Sequence, residues 1–187
     1  GTGAIQLDGL SWPTADGSAN QVLKTDGSGT LSWTAASSGA SNVNGLSDAL
    51  IEDNSLYLGQ DPSSTTSTAE YNLSLGATAL DAVTTGDGNT AVGFNALTAN
   101  TSGEGNVAIG YNTLAANTTA SQNLAMGYNA LAIQTTDGEY NTAVGNYTLD
   151  NNTIGDRNVA LGYVALTANS EGSKNTGIGT SSSKANT

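Results

Sequence analysis

The sequence predicts an all-β fold, a repetitive parallel β-roll or solenoid whose coils are seventeen or eighteen residues long. A nine-residue phrase recurs along the chain: NTAVGFNAL at 89–97 returns as NVAIGYNTL at 106–114 and NLAMGYNAL at 123–131. Large side chains are scarce, with one Phe, one Met and 5% aromatic residues. Such a composition suits a thin structure in which each repeat packs mainly on its neighbours.

Each repeat begins with asparagine and places glycine four residues later. The step between successive asparagines is seventeen, except for one step of eighteen whose insertion falls in the turn sequence TTDGEY at 135–140. The repeat positions are Asn72, Asn89, Asn106, Asn123, Asn141, Asn158 and Asn175, with Gly76, Gly93, Gly110, Gly127, Gly145, Gly162 and Gly179. Stacked amides can hydrogen-bond from coil to coil, so we expect a structural role for these asparagines.

The residue before each glycine is apolar and forms the apolar stripe. Its members are Leu75, Val92, Ile109, Met126, Val144, Leu161 and Ile178. Within NTAVG, alternation with period two predicts a short strand that places Ala91 on one face and Thr90 and Val92 on the other. The segment Asn95–Leu97 fits a second strand or a single helical turn, and we expect a strand.

Both faces of the predicted strand are apolar, although a single roll encloses only one of them. The second face therefore needs a partner, and it offers the same stripe in every coil. A cyclic homo-oligomer supplies that partner from one sequence. We expect a homotrimeric fibre.

The chain before the repeats predicts two further regions. Residues 1–40 hold two Leu-Ser-Trp units beside turn sequences, which favours a small intertwined β region. Residues 41–71 are expected to be a connector containing a strand and a short helix, capped by Ser47 and ending at Glu52. Residues 72–187 are expected to form the seven-copy repeat region.

Charge and composition exclude several classes of partner and chemistry. Sixteen acidic residues face four basic ones, giving a net charge of −12, so nucleic acid and anionic bilayers are not expected partners. Cysteine and histidine are both absent, which removes thiolate and imidazole ligands and any serine–histidine triad. The sequence contains no run of ~18 apolar residues, so no membrane-spanning segment is expected. The first residue is Gly1 rather than Met, which suggests a fragment or a processed product.

Acidic residues in the glycine-rich turns raise the question of calcium binding or a catalytic pair. Calcium-binding rolls need a regular Gly-Gly-x-Gly-x-Asp spacing, and these turns vary in length and in the position of the acid. The residues concerned are Asp87, Glu104, Asp137, Glu139, Asp156 and Glu171. We expect solvated turn acids, no metal, no cofactor and no catalytic residue, and therefore no enzyme.

An aromatic column follows the repeat glycine at Phe94, Tyr111, Tyr128 and Tyr163, while Asn146 takes that place once with Tyr147 beside it. Aromatic rings mainly serve burial, so we expect them to pack between coils or between chains. Contact with a cell-surface glycan is the second interpretation.

These motifs resemble those of known proteins over nearly the whole chain. The repeats NTAVGFNAL and NVAIGYNTL resemble those of bacteriophage tail fibres, particularly from marine cyanophages. LDGLSWPTADGSANQVLKTDGSGTLSWTAASSG at 7–39 and DNSLYLGQDPSSTTSTAEYNLSLGATAL at 53–80 are similar to segments of the same group. The repeats are also similar to the Asn-x-x-Ala-Ile-Gly repeats of trimeric autotransporter adhesin heads, which are left-handed parallel β-rolls with a shorter period.

The resemblance implies a structural segment of a virion tail fibre that supports attachment to a host-surface glycan or protein. One alternative is the head of a bacterial trimeric adhesin, located on the cell surface. A second alternative is a segment of a glycan-degrading tailspike.

Overall fold

The computed structural model forms two compact units, residues 1–45 and 46–187. The residues that it describes are 6–7, 9–19, 21–35, 49–52, 54–59 and 68–182. Within these ranges the chain consists of β-strands and turns, without any helix. The predicted all-β class is confirmed.

The first unit contains two small antiparallel pairs. Strands β1 (Gln6–Leu7) and β2 (Leu10–Ser11) form one pair, and β3 (Gln21–Thr25) and β4 (Leu31–Ala35) form the other. The turn between β3 and β4 is held by the Asp26 carboxylate, which accepts the Ser28 and Thr30 N–H groups at 2.8 and 3.0 Å. These two backbone hydrogen bonds lower the pKa of Asp26.

The two tryptophans of this unit are only partly covered. The Trp33 indole donates to the Ala15 carbonyl at 2.8 Å and lies against Gly17, yet Trp33 and Trp12 remain 39% and 40% exposed. Intertwining with other chains stays a prediction for this region.

The second unit is a parallel β-solenoid, as predicted, in which most strands pair with the strand seventeen positions further along, as Leu73 does with Thr90. Its strands form one nine-stranded sheet in chain order. They are β5 (Ala49–Glu52), β6 (Ser55–Gly59), β7 (Leu73–Gly76), β8 (Thr90–Val92), β9 (Val107–Ile109), β10 (Leu124–Met126), β11 (Thr142–Val144), β12 (Val159–Leu161) and β13 (Thr176–Ile178). From β6 to β13 every pair is parallel and in register, so equivalent side chains form ladders along the axis.

The register begins one coil earlier than the asparagine repeat. Strand β6 pairs with β7 so that Gly59 lies opposite Gly76 and Leu58 opposite Leu75. Ser55 takes the place of asparagine, and its hydroxyl accepts the Asn72 N–H at 2.9 Å.

The apolar part of the solenoid interior is narrow and consists mainly of alanine and leucine. The middle residue of each strand points inward, and Ala91, Ala108 and Ala125 are fully buried. They face a column of equally buried leucines from the opposite side of each coil, which are Leu80, Leu97, Leu114, Leu131, Leu149 and Leu166. A small side chain opposite a larger one fills a coil too thin for two large residues.

The strand expected at Asn95–Leu97 is wrong, because this segment is a pair of consecutive turns. The Ala96 N–H donates to Gly93 O and the Asn100 N–H donates to Leu97 O. Asn95 and Leu97 have φ of 56° and 53°. A left-handed leucine costs roughly 1–2 kcal/mol, and complete burial of its side chain returns about 1.5–3 kcal/mol, so packing holds the turn in place.

The helix expected through Ala49–Glu52 is also wrong. This segment is β5, which pairs antiparallel with β6 and places Glu52 opposite Ser55. Asn54 lies in the connection with φ of 59°, a conformation typical of tight hairpin turns. The proposed cap, Ser47, is outside the described residues.

The one longer coil keeps its register through a longer side chain. In ordinary coils a buried asparagine donates to a turn carbonyl three residues ahead, as from Asn117 to Ala120 at 3.0 Å. In the longer coil Gln134 stands at that place and donates to Gly138, four residues ahead. The additional methylene therefore spans the additional residue.

Shortening Gln134 to asparagine is expected to lower the free energy of unfolding by about 1–3 kcal/mol, because buried groups lose their hydrogen bonds. The Gln134 amide is fully buried and also accepts from Asn141 and Asn152. The midpoint of urea denaturation at fixed protein concentration measures the change. Deleting Thr136 in the same variant should restore much of the stability. Equal stability of the Gln134→Asn variant and the parent would contradict this role.

Candidate functional site

The repeat asparagines, all buried except the half-buried Asn175, form a ladder that fixes each coil against the next. The Oδ1 atom of Asn89 accepts the Asn106 N–H at 3.0 Å, and the same contact joins all six consecutive pairs from Asn72 to Asn175 at 2.8–3.0 Å. The Nδ2 atom of Asn106 donates to Ala120 O at 2.9 Å, a turn carbonyl of its own coil. One side-chain amide thereby stabilises both the contact with the next coil and the turn within its own coil.

A second amide ladder was not predicted from the sequence. It lies eleven residues after the first and comprises Asn100, Asn117, Gln134, Asn152 and Asn169, all fully buried. The two ladders share turn carbonyls, since Ala120 O accepts from both Asn106 and Asn117. The constant offset of eleven was the available signal, but Val83 and Gln134 interrupt the asparagine pattern.

The repeat glycines form a column at which each coil bends after its strand. Gly127 has φ of 130°, and a Cβ atom there would lie 2.5 Å from the carbonyl oxygen of Gly145 in the next coil. Gly93, Gly110 and Gly145 meet the following coil in the same way. No side chain rises from this column, so it separates the residues on its two sides.

On one side of the glycine column lies the apolar stripe, which faces outward. Leu75, Met126, Leu161 and Ile178 are 49%, 37%, 47% and 66% exposed, and the remaining members are half-buried. The strand residues two places earlier share this outer face and are also uncharged: Leu73, Thr90, Val107, Leu124, Thr142, Val159 and Thr176. The described residues of the chain thus leave a long uncharged sheet face open to solvent.

On the other side of the column the aromatic rings stack along the axis as an aromatic ladder of Phe94, Tyr111, Tyr128, Tyr147 and Tyr163. Successive centroids are 5.4, 5.0, 5.3 and 6.3 Å apart, and the rings are 36–54% exposed. Tyr147 replaces the ring missing at Asn146, whose side chain accepts the Tyr128 N–H. Partial burial and then the neighbouring tyrosines raise the pKa of Tyr147.

The stacking geometry limits how the ladder can meet a ligand. The planes of Phe94 and Tyr111 are 20° apart, and those of Tyr111 and Tyr128 are 5° apart. The faces of these three rings are therefore turned toward each other, whereas Tyr147 is tilted by 56° against Tyr128 and Tyr163 lies at 87° to Tyr147. A sugar that stacks on an aromatic ring needs a free face, so glycan contact stays a prediction for these residues.

Three of the six turn acids lie close together, beside the longer coil. Asp137, Glu139 and Asp156 line a cavity of about 390 Å³ together with Gly138 and Ile154. The Asp156 carboxylate accepts the Glu139 N–H at 2.8 Å and lies 3.7 Å from the Arg157 guanidinium. Across the described residues, no cluster of three or more acidic side chains has a geometry suited to a metal ion.

The described residues contain no helix, and so no helical segment that could span a membrane. No protein-family model matches the chain, and no curated protein or solved structure is significantly similar to it.

Proposed function

We propose that this chain is a structural segment of a virion tail fibre, in which three copies associate and cover their outer strand faces. The resulting rod would support attachment to the host surface without catalysis. Three parallel copies multiply any weak contact with that surface through avidity. The resemblance of the repeats and of the segments 7–39 and 53–80 to tail-fibre sequences supports the virion assignment.

The observation that carries the proposal is the uncharged outer sheet face. The chain has a net charge of −12, yet none of the outward strand positions from β7 to β13 is charged. Contiguous exposed apolar surface on a folded protein marks an interaction site. A partner must offer apolar ladders of the same axial spacing, and a second copy of the chain does so.

The assembly is tested by light scattering on the purified chain. The expected mass is three times 18.6 kDa. Replacing Leu161 by aspartate should convert the assembly to lower-mass species, because an unpaired charge would be buried at each contact between chains. Leu161 is 47% exposed in the single chain, so the fold itself should tolerate the change.

A matched control is Ile133→Asp. Ile133 is 42% exposed but lies outside the stripe and the aromatic ladder, so the mass should not change. A well-folded monomer of the unaltered chain would overturn the proposed function, since the outer face would then need no partner.

A further inference from the structure

We propose that copies of the chain meet heterologously, with the apolar stripe of one copy packed against the aromatic ladder of the next and the glycine column nearest the threefold axis. This inference rests on the proposed trimer and specifies which surfaces form it. The alternative is a trimer in which the apolar stripes of the three chains pack on one another. Neither the class of fold nor the repeat pattern alone decides between the two arrangements.

Threefold symmetry allows two different surfaces of the chain to meet. A closed ring of three identical chains is built from a heterologous contact, in which patch A of one subunit meets patch B of its neighbour. The second unit of this chain has two such patches: the apolar stripe, which runs over seven coils, and the aromatic ladder, which runs over the five coils from Phe94 to Tyr163. Both advance by one coil per step, so their axial spacing matches in a parallel pair.

The bend at the glycine column directs the apolar stripe and the aromatic ladder to different sides of the chain, as a ring of three chains needs. The chain bends at Gly162, so Leu161 and Tyr163 lie on opposite sides of the bend. Each chain thus has an uncharged surface on either side of the glycine column, and each surface can pack against a different neighbour. The glycine column then lies closest to the threefold axis, and the absence of side chains permits that close approach.

Charge and chemistry favour the same surfaces. Copies of a chain with net charge −12 repel each other, so a contact between uncharged surfaces is the more favourable one. Neither the stripe nor the aromatic ladder contains a charged residue. Half-exposed rings gain dispersion contacts from aliphatic side chains that pack against their edges.

Cysteine crosslinking tests the arrangement, because the chain has no cysteine of its own. One chain carries Leu161→Cys and a differently tagged chain carries Tyr163→Cys, and the two are co-expressed. A disulfide forms only when the Cα atoms come within about 7 Å. Under mild oxidation we expect a covalent dimer that contains both tags, and none from either variant expressed alone.

Further cysteine pairs measure the axial offset between neighbouring chains and provide a control. Val144→Cys and Ile178→Cys, each paired with Tyr163→Cys, report whether neighbouring chains are staggered by one coil. Ile133→Cys paired with Tyr163→Cys should give no crosslink, because Ile133 belongs to neither surface.

The outcomes separate this inference from the proposed function. If the Leu161→Cys chain crosslinks to itself in an assembly of three chains, stripe packs on stripe, and the heterologous arrangement is overturned while the trimer stands. If all crosslinks are absent and the unaltered chain is a monomer, both proposals fail. A mixed-tag crosslink in an assembly of three chains supports both.

Discussion

Replacing Gly127 by alanine is expected to disrupt the coil stack, with a loss on the order of 4 kcal/mol or more in the free energy of unfolding. The new Cβ atom would lie 2.5 Å from the carbonyl oxygen and 2.6 Å from the carbonyl carbon of Gly145. Both are backbone atoms, so no side-chain rotation relieves the overlap. The φ of 130° is also one that alanine adopts only with strain.

Gly88→Ala is the matched control for this prediction. Gly88 also has a positive φ, 65°, but an added Cβ atom would meet nothing within 4 Å. The expected loss is about 1 kcal/mol, from the conformational preference alone. Urea denaturation followed by circular dichroism compares the two variants at equal protein concentration. Equal losses of unfolding free energy at the two positions would show that the close contact between coils at Gly127 does not add to the cost of the substitution.

Replacing Asn106 by leucine is expected to lower the free energy of unfolding by about 3–5 kcal/mol. The side chain is fully buried, and its four hydrogen bonds, which include one accepted from Asn123 Nδ2, are lost together. The Asn123 N–H loses its acceptor, while the Ala120 carbonyl and the Asn89 Oδ1 lose a donor. Leucine is similar in size, so the loss comes from unpaired polar groups rather than from a cavity.

Asn151→Ala provides the comparison for an exposed amide. Asn151 donates one hydrogen bond, to Thr167 O at 2.8 Å, and water can replace it. The expected change is within about 1 kcal/mol, measured by the same denaturation experiment. A loss at Asn106 no larger than that at Asn151 would mean that the buried ladder does not stabilise the stack.

The strands of the repeat region could be predicted from the sequence, because alternation with period two is a local property. Val92 and Ala91 differ in size and point in opposite directions, so a short stretch is enough to identify the strand. The turn after the glycine could not be predicted in this way. Leucine rarely adopts positive φ, and Leu97 does so only because its side chain fills the interior of the stack.

Part of the candidate site could be predicted from the sequence for the same reason. The stripe and the aromatic ladder are columns of one residue type, and the repeat aligns them directly. The second amide ladder is hidden in turns rich in Asn and Thr, where one more asparagine carries little information. The hairpin at Ala49–Glu52 was also missed, because a short apolar run fits a helix or a strand until its pairing partner is known.

The identical register of the coils has a consequence for how such a molecule changes over generations. Each strand from β7 to β12 pairs only with the strand before it and the strand after it. Recombination between two equivalent codons would add or remove whole coils and leave the ladders continuous. The length of the solenoid would then change in steps of ~4.8 Å while its cross-section and its lateral surfaces stayed the same. The length of the solenoid is therefore separable from the chemistry of its sides.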